Sequence, residues 1–151
     1  MPAIFDKMHH LCIVVHDMEK AVDHYTRLGV GPWQAYPPMA DYVELDVPDR
    51  KAFEETLYRF VNLANMQIQL CQPGPRDSPQ RRFLDAHGEG VFHISFEVPD
   101  CGKGEAAAKA QGLKVLMRGR RANRSGFTFL TRRKRSAALS SRSAPMRRVD
   151  G

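Results

Sequence analysis

Two histidines, His10 and His93, and one glutamine, Gln69, are the residues whose types and placement suit a shared chemical task. Each histidine stands at the head of a β-branched, strand-like run, at 11–15 and at 93–98. In Met66-Gln67-Ile68-Gln69-Leu70, strand alternation puts Gln67 and Gln69 on the face opposite Ile68. Two imidazoles and an amide oxygen, completed by a carboxylate, suit a divalent ion with open coordination positions. Glu44, within the strand-like run 42–47, is the one acid of the first half placed to reach such a site as a proton-transferring base; its plainer reading is a solvated strand acid. His9, His16, His24 and His87 read as surface or turn histidines, and Cys12, Cys71 and Cys101, with no paired spacing, as small core residues.

The elements that must bring His10 and His93 together are set by a repeat. After the strand at 11–15, Asp17 can cap a helix at 18–28, whose apolar positions Met18, Ala21, Val22, Tyr25 and Leu28 share one face, and Gly29 stops it. The same order returns as a strand at 93–98, a cap at Asp100, a helix at 105–111 and a stop at Gly112. His10 and His93, Val15 and Val98, Asp17 and Asp100, Lys20 and Lys103, and Gly29 and Gly112 are all 83 positions apart. A single offset that serves five pairs marks two copies of one unit. Further strands are expected at 32–36, 42–47, 56–63 and 66–71 in the first copy and at 113–117 and 127–130 in the second. Arg76-Asp77-Ser78-Pro79 reads either as a contact for an anionic substrate tail such as CoA or glutathione, or as a capped loop entering a helix at Pro79.

The chain of 151 residues, 42% hydrophobic and 26% charged, has the size and make-up of one domain or two small repeated halves, with a core that needs no disulfides or structural metal. No apolar run approaches a membrane span and the N-terminus lacks signal-peptide features, so a cytoplasmic protein without membrane contact is expected. The net charge of +6 is local. Residues 131–151 hold seven of the 23 Lys and Arg and one of the 17 Asp and Glu, which leaves 1–130 neutral. This tail has no interleaved aromatics, so nucleic-acid binding is not expected despite its charge.

The chain resembles the vicinal oxygen chelate (glyoxalase/bleomycin resistance/dioxygenase) superfamily. Within it, the chain is most similar to the branch of methylmalonyl-CoA epimerase and lactoylglutathione-lyase-like proteins. The likeness rests on His10-Leu-Cys-Ile-Val-Val-His-Asp17, Leu28-Gly-Val-Gly-Pro-Trp33, Gln69-Leu-Cys-Gln-Pro73, Arg76-Asp-Ser-Pro79, Phe83-Leu84 and His87-Gly-Glu-Gly-Val-Phe-His-Ile94. It implies an α+β fold in which two repeated βαβββ modules, about 8–73 and 90–130 of a domain at 1–130, form a curved mixed sheet around a cleft. It also implies metal ligands at His10, Gln69 and His93, a divalent metal ion (Co, Mn, Ni, Zn or Fe), a small-molecule substrate and a homodimer. The family's fourth ligand, a glutamate on the last strand, falls near Ser141-Arg142, where there is no carboxylate.

The resemblance stops after Phe127-Thr-Phe-Leu130. One choice of codons for 131–145, read with one added nucleotide in front, gives Asp-Thr-Glu-Glu-Ala-Leu-Gly-Gly-Val-Val-Ile-Glu-Ile-Arg-Pro, which resembles the family's usual ending with its glutamate. Residues 131–151 are therefore expected to be a basic, disordered or frame-shifted tail, and the last strand of module two to be lost. The activity implied is metal-dependent epimerisation or isomerisation of a small acyl-CoA or carbonyl substrate through a metal-stabilised enolate, with a glyoxalase-like lyase as the near alternative. A non-catalytic small-ligand-binding protein of the same fold, or an impaired enzyme copy, is the reading that the missing carboxylate favours.

Overall fold

The computed structural model describes residues 3–36, 42–132 and 135–143. The first copy of the repeat comprises β1 (Met8–Val14), α1 (Met18–Arg27), β2 (Gln34–Ala35), β3 (Glu44–Asp46), α2 (Arg50–Glu55), β4 (Leu57–Asn62) and β5 (Gln67–Gln72), and α3 (Pro79–His87) links it to the second. The second comprises β6 (Gly90–Glu97), α4 (Cys101–Ala110), β7 (Lys114–Arg120), β8 (Gly126–Arg132) and β9 (Arg135–Ser143). All nine strands join one mixed sheet in the order β2-β4-β5-β1-β6-β9-β8-β7-β3. Leaving out β3, the order reads the same from either edge toward the centre, as a pseudo-twofold axis between β1 and β6 requires. Among the described residues no helix is long and apolar enough to cross a membrane.

The repeat holds at the level of single dihedrals. Asp17 and Asp100 cap α1 and α4 from the same extended conformation, φ −139° and −140°, each accepting from the backbone N–H three residues on. The helices end alike: Val30 N–H donates to Tyr25 O and Leu113 N–H to Ala108 O, and the stops Gly29 and Gly112 sit at φ +83° and +81°, where a side chain would be strained. Because the Asp100 cap opens the helix at Cys101, α4 starts four residues before the expected 105. The short α2, capped by Asp49, has no counterpart among the expected elements. Ser78 caps α3 with Pro79 at its first turn, the second of the two readings for that segment.

One sheet face is covered by α1, over Val15, Met18 and Leu70, and by α4, which packs on β7, β8 and β9. Under α4 a buried ion pair joins Glu105 to Arg120 at 3.2 Å, and Arg120 also donates to Thr128 and to the carbonyl oxygens of Gly119 and Phe127. Burial alone would raise the Glu105 carboxyl, but Lys109, Arg118 and Arg120 together hold it below the ordinary carboxylate range. The opposite face carries the main core, in which Cys12, Val14, Cys71, Met117, Phe127 and Phe129 of the sheet meet Tyr42, Phe53 of α2 and Leu84 of α3.

Two expectations are corrected. The run 42–47 does not stay with its own module: β3 pairs with β7 at the far edge, Glu44 opposite Arg120, and is fastened there by the Arg121 guanidinium 4.5 Å over the Tyr42 ring. The last strand of module two is not lost. β9 fills the slot between β6 and β8, parallel to the first and antiparallel to the second, so Arg135–Ser143 form a strand. Residues 133–134 and 144–151 of the expected tail lie outside the described residues. The physical reason is that the slot presents two rows of backbone donors and acceptors, which any chain without proline can satisfy whatever its side-chain pattern.

Truncation after Arg132 should therefore leave β6 and β8 with unpaired inner edges. We expect a loss of cooperative thermal unfolding or a Tm drop of roughly 10 °C or more, given that ~1 kcal/mol moves the Tm of a domain this size by several degrees. An unchanged melting curve would show that the segment contributes nothing to the fold.

Candidate metal centre

The site is assembled where β1 meets β6. Their antiparallel register places His10 opposite Ser95 and Cys12 opposite His93, while parallel pairing on the other side of β1 places Gln67 beside His10 and Gln69 beside Cys12. Strand alternation then sets two rows on one face, Gln69-Cys12-His93 and Gln67-His10-Ser95. All six residues are buried.

Within this grid the two imidazoles turn toward each other, with His10 Nε2 and His93 Nε2 3.0 Å apart. Two nitrogens bound to one ion at about 2.1 Å and at a right angle would stand about 3.0 Å apart, so the pair is already spaced as neighbouring ligands. Phe129 packs edge-on against the His93 ring, with centroids 4.6 Å apart, and Phe92 flanks it at 5.5 Å. Burial among these rings pushes His93 down from 6.5 to about 3, so it is held neutral, the form that ligates metal.

Gln69 is oriented by a chain of amides. Its Nε2 donates to Gln67 Oε1 at 2.7 Å, and Gln67 Nε2 donates to Asn62 Oδ1 at 2.9 Å. With its nitrogen engaged, Gln69 offers its oxygen, the atom a cation needs. Sequence reasoning placed Gln67 on the correct face but did not see it as the residue that orients Gln69.

The structure thus brings His10, Gln69 and His93 to one three-strand patch. It does not bring Glu44 there. Glu44 lies on the edge strand β3, half exposed, with Oε1 2.7 Å from Arg124 Nη1. Among the described residues no third His, Cys, Asp or Glu completes a metal-binding group. The register of β9 also moves the expected fourth position. Parallel pairing sets Ala138 beside His93 and Ser140 beside Ser95, so the module-two counterpart of Gln69 is Ser140, rather than the Ser141-Arg142 expected from the sequence. No residue of β9 is a carboxylate. The donors present fit a divalent ion held by neutral groups alone.

His93 Nδ1 and Ser95 Oγ are buried without a hydrogen-bond partner among the described residues. His9, expected at the surface or in a turn, is half-buried on β1 with its Nδ1 2.7 Å from His10 Nδ1. Nothing in the sequence pattern announces this, because neighbours on a regular strand face opposite ways.

Comparison with known proteins agrees with this architecture. An ethylmalonyl-CoA/methylmalonyl-CoA epimerase of Cereibacter sphaeroides is 28% identical over 112 residues, 73% of this chain and 74% of the relative. The crystal structure of methylmalonyl-CoA epimerase from Mycobacterium tuberculosis superposes with a TM-score of 0.70 at 19% identity, covering 96% of this chain and 93% of that one. A Streptomyces coelicolor methylmalonyl-CoA epimerase variant in complex with 2-nitronate-propionyl-CoA gives 0.67 at 21% identity, over 93% of this chain and 98% of the other. These structures share the fold. The family model for the Glyoxalase/Bleomycin resistance protein/Dioxygenase superfamily matches residues 9–131, and the chain belongs to that superfamily.

Proposed function

We propose that the chain is a metal-dependent epimerase or isomerase that moves the proton on a carbon next to a carbonyl, with a small acyl-CoA as substrate. The observation that carries this reading is the pair of buried Nε2 atoms 3.0 Å apart, on the two strands that the repeat makes equivalent. The epimerase relative from Cereibacter sphaeroides supports the substrate class. A divalent ion held by His10, His93 and Gln69 supplies Lewis acidity to a substrate carbonyl and so acidifies the neighbouring C–H.

The chain's own residues set the conditions for that chemistry. His93, kept neutral by burial, offers a lone pair throughout the ordinary pH range. Gln69, fixed by Gln67 and Asn62, adds a neutral oxygen, and Phe92 and Phe129 keep water from the His93 ring. With no anionic donor among His10, Gln69 and His93, a bound divalent ion would keep its full double charge, which would strengthen its pull on a carbonyl and weaken its hold in the protein. Proton transfer needs a base, and Glu44, on the far edge strand β3 and paired with Arg124, is not placed to serve as one in this structure.

A second reading is a non-catalytic binder of small ligands. It is favoured by the absence of a carboxylate at Ser140 and by the engagement of Glu44 with Arg124.

Titration calorimetry with Co2+ alone separates these outcomes. We expect one ion per chain, with affinity reduced at least tenfold in His10→Ala and in His93→Ala, the scale on which metal sites respond to loss of support. Ser140→Glu, which puts an anionic donor at the Gln69 counterpart, should tighten binding by about tenfold or more, as ligand charge does in cation sites. Exchange of the α-proton of methylmalonyl-CoA in D2O then tests catalysis. Ion binding without exchange in either wild type or Ser140→Glu selects the binding reading, and no ion binding in either removes the metal reading.

A pH dependence follows from His93. The unfolded chain takes up a proton on this residue below about 6.5, whereas the folded chain resists until about 3. Its contribution to stability is therefore complete above 6.5 and is lost progressively as pH falls toward 3. Thermal unfolding at pH 7 and pH 4.5 should show this acid loss in wild type and a smaller one in His93→Gln. Equal acid losses in the two would contradict a neutral, buried His93.

A further inference from the structure

We infer that His9 is a positioning residue which fixes the His10 ring with its Nε2 lone pair toward the metal centre; this rests on the metal reading above and deepens it. The register of β1 on β6 slips at one residue: Met8 pairs with Phe96 but His10 pairs with Ser95, which leaves His9 as the extra residue of a β-bulge. A bulge turns its residue off the regular alternation, and here it carries the half-buried His9 to the His10 ring, with Nδ1 to Nδ1 at 2.7 Å and ring centroids 5.0 Å apart.

The twofold repeat supplies an internal control. The matching slip on β6, between Val91 and His93, leaves Phe92 as its extra residue, 83 positions after His9. Phe92 has no side-chain polar atom to offer, and His93 Nδ1 is buried without a hydrogen-bond partner among the described residues. The same backbone device therefore gives one ligand histidine a hydrogen-bond partner and the other an apolar wall.

The direction of the hydrogen bonds follows from the three rings. A neutral imidazole carries one N–H, so His9, His10 and His93 can be linked in only two ways. In one, His9 donates to His10 and His10 to His93, which strands a buried N–H at His93 Nδ1. In the other, His93 Nε2–H donates to His10 Nε2 and His10 Nδ1–H to His9 Nδ1, which leaves only a bare lone pair at His93 Nδ1. An orphaned donor is the rarer arrangement in folded proteins, so the second direction prevails. It puts the His10 proton on Nδ1 and the lone pair on Nε2, where it accepts the His93 Nε2–H; an ion would take the place of that hydrogen, with the His93 proton passing to Nδ1. Loss of His9 frees the ring to place its proton on Nε2 and block that position.

The test compares wild type, His9→Ala and His9→Asn, whose side-chain oxygen can accept at the reach of the histidine Nδ1. Long-range 1H–15N spectra of the metal-free proteins report which nitrogen of His10 carries the proton. We expect Nδ1–H in wild type and His9→Asn, and a mixture or Nε2–H in His9→Ala. Co2+ affinity should fall ten- to a hundredfold in His9→Ala and stay within about threefold of wild type in His9→Asn. A wild-type His10 protonated on Nε2, or a tautomer and affinity unchanged in His9→Ala, would overturn the inference. If wild type takes up no Co2+ but the tautomers behave as expected, the positioning role of His9 stands and the metal reading fails. The wild-type spectrum decides the tautomer even if His9→Ala does not fold.

Discussion

The antiparallel pairing of β1 with β6 is the constraint from which the rest of the site follows. It joins the two copies of the repeat, and its register is symmetric in detail: Met8 pairs with Phe96 as Ile13 pairs with Val91, and His10 pairs with Ser95 as Cys12 pairs with His93. A one-residue slip would turn one histidine out of the buried face, because side chains alternate along a strand. The two bulges, one on each strand, oppose such a slip, since each must meet its own place on the partner. Cys12 and Val14, fully buried in the core below the histidines, tie that register to the packing of the whole concave face. The histidine pair is thus held by the same interaction that holds the two modules together.

Symmetry of the backbone does not extend to the chemistry laid on it. His9 and Phe92 occupy one equivalent position, and Gln69 and Ser140 another. In the first module His10 has a polar neighbour and an oriented amide beside it. In the second, His93 is enclosed by Phe92 and Phe129. One half of the centre is hydrogen-bonded and the other is dry. Burial in the dry half keeps His93 neutral, and hydrogen bonding in the polar half directs His10 and Gln69. Each histidine is thus set in its environment by a different physical means.

What the sequence made legible is what local chemistry determines. Asp17 and Asp100 as caps and Gly29 and Gly112 as stops act through their own backbone neighbourhood, and their common offset carried the fold and the equivalence of His10 and His93, which stand inside β1 and β6 rather than at their heads. The Gln69 placement followed from alternation along β5. The features not read are those fixed at a distance. The crossing of β3 to β7 depends on Tyr42 and Glu44 meeting Arg121 and Arg124 some 80 residues away. The role of His9 depends on a bulge, which is a mismatch between two strands and leaves no mark in either one. α2 is short, and its cap at Asp49 was the only local signal.

The strand β9 shows how far fold and function can part. A central position in a sheet asks of its occupant mainly a backbone able to donate and accept on both sides, and Arg135-Ser-Ala-Ala-Leu-Ser-Ser-Arg-Ser143, without proline, meets that demand. Hydrophobic alternation, which sequence reading requires of a strand, is supplied here by the neighbours, with Phe127, Phe129 and Leu130 buried on β8 and Phe92 on β6. A metal centre asks instead for one side chain of one kind at one register position. Ser140 stands at the position related by symmetry to Gln69, and it brings neither a carboxylate nor an amide. The same nine residues can therefore complete the sheet and leave the position related to Gln69 without a carboxylate or an amide. Tolerance in the backbone coexists with intolerance in the site, and for that reason fold similarity to epimerases supports the architecture of this protein more strongly than its activity.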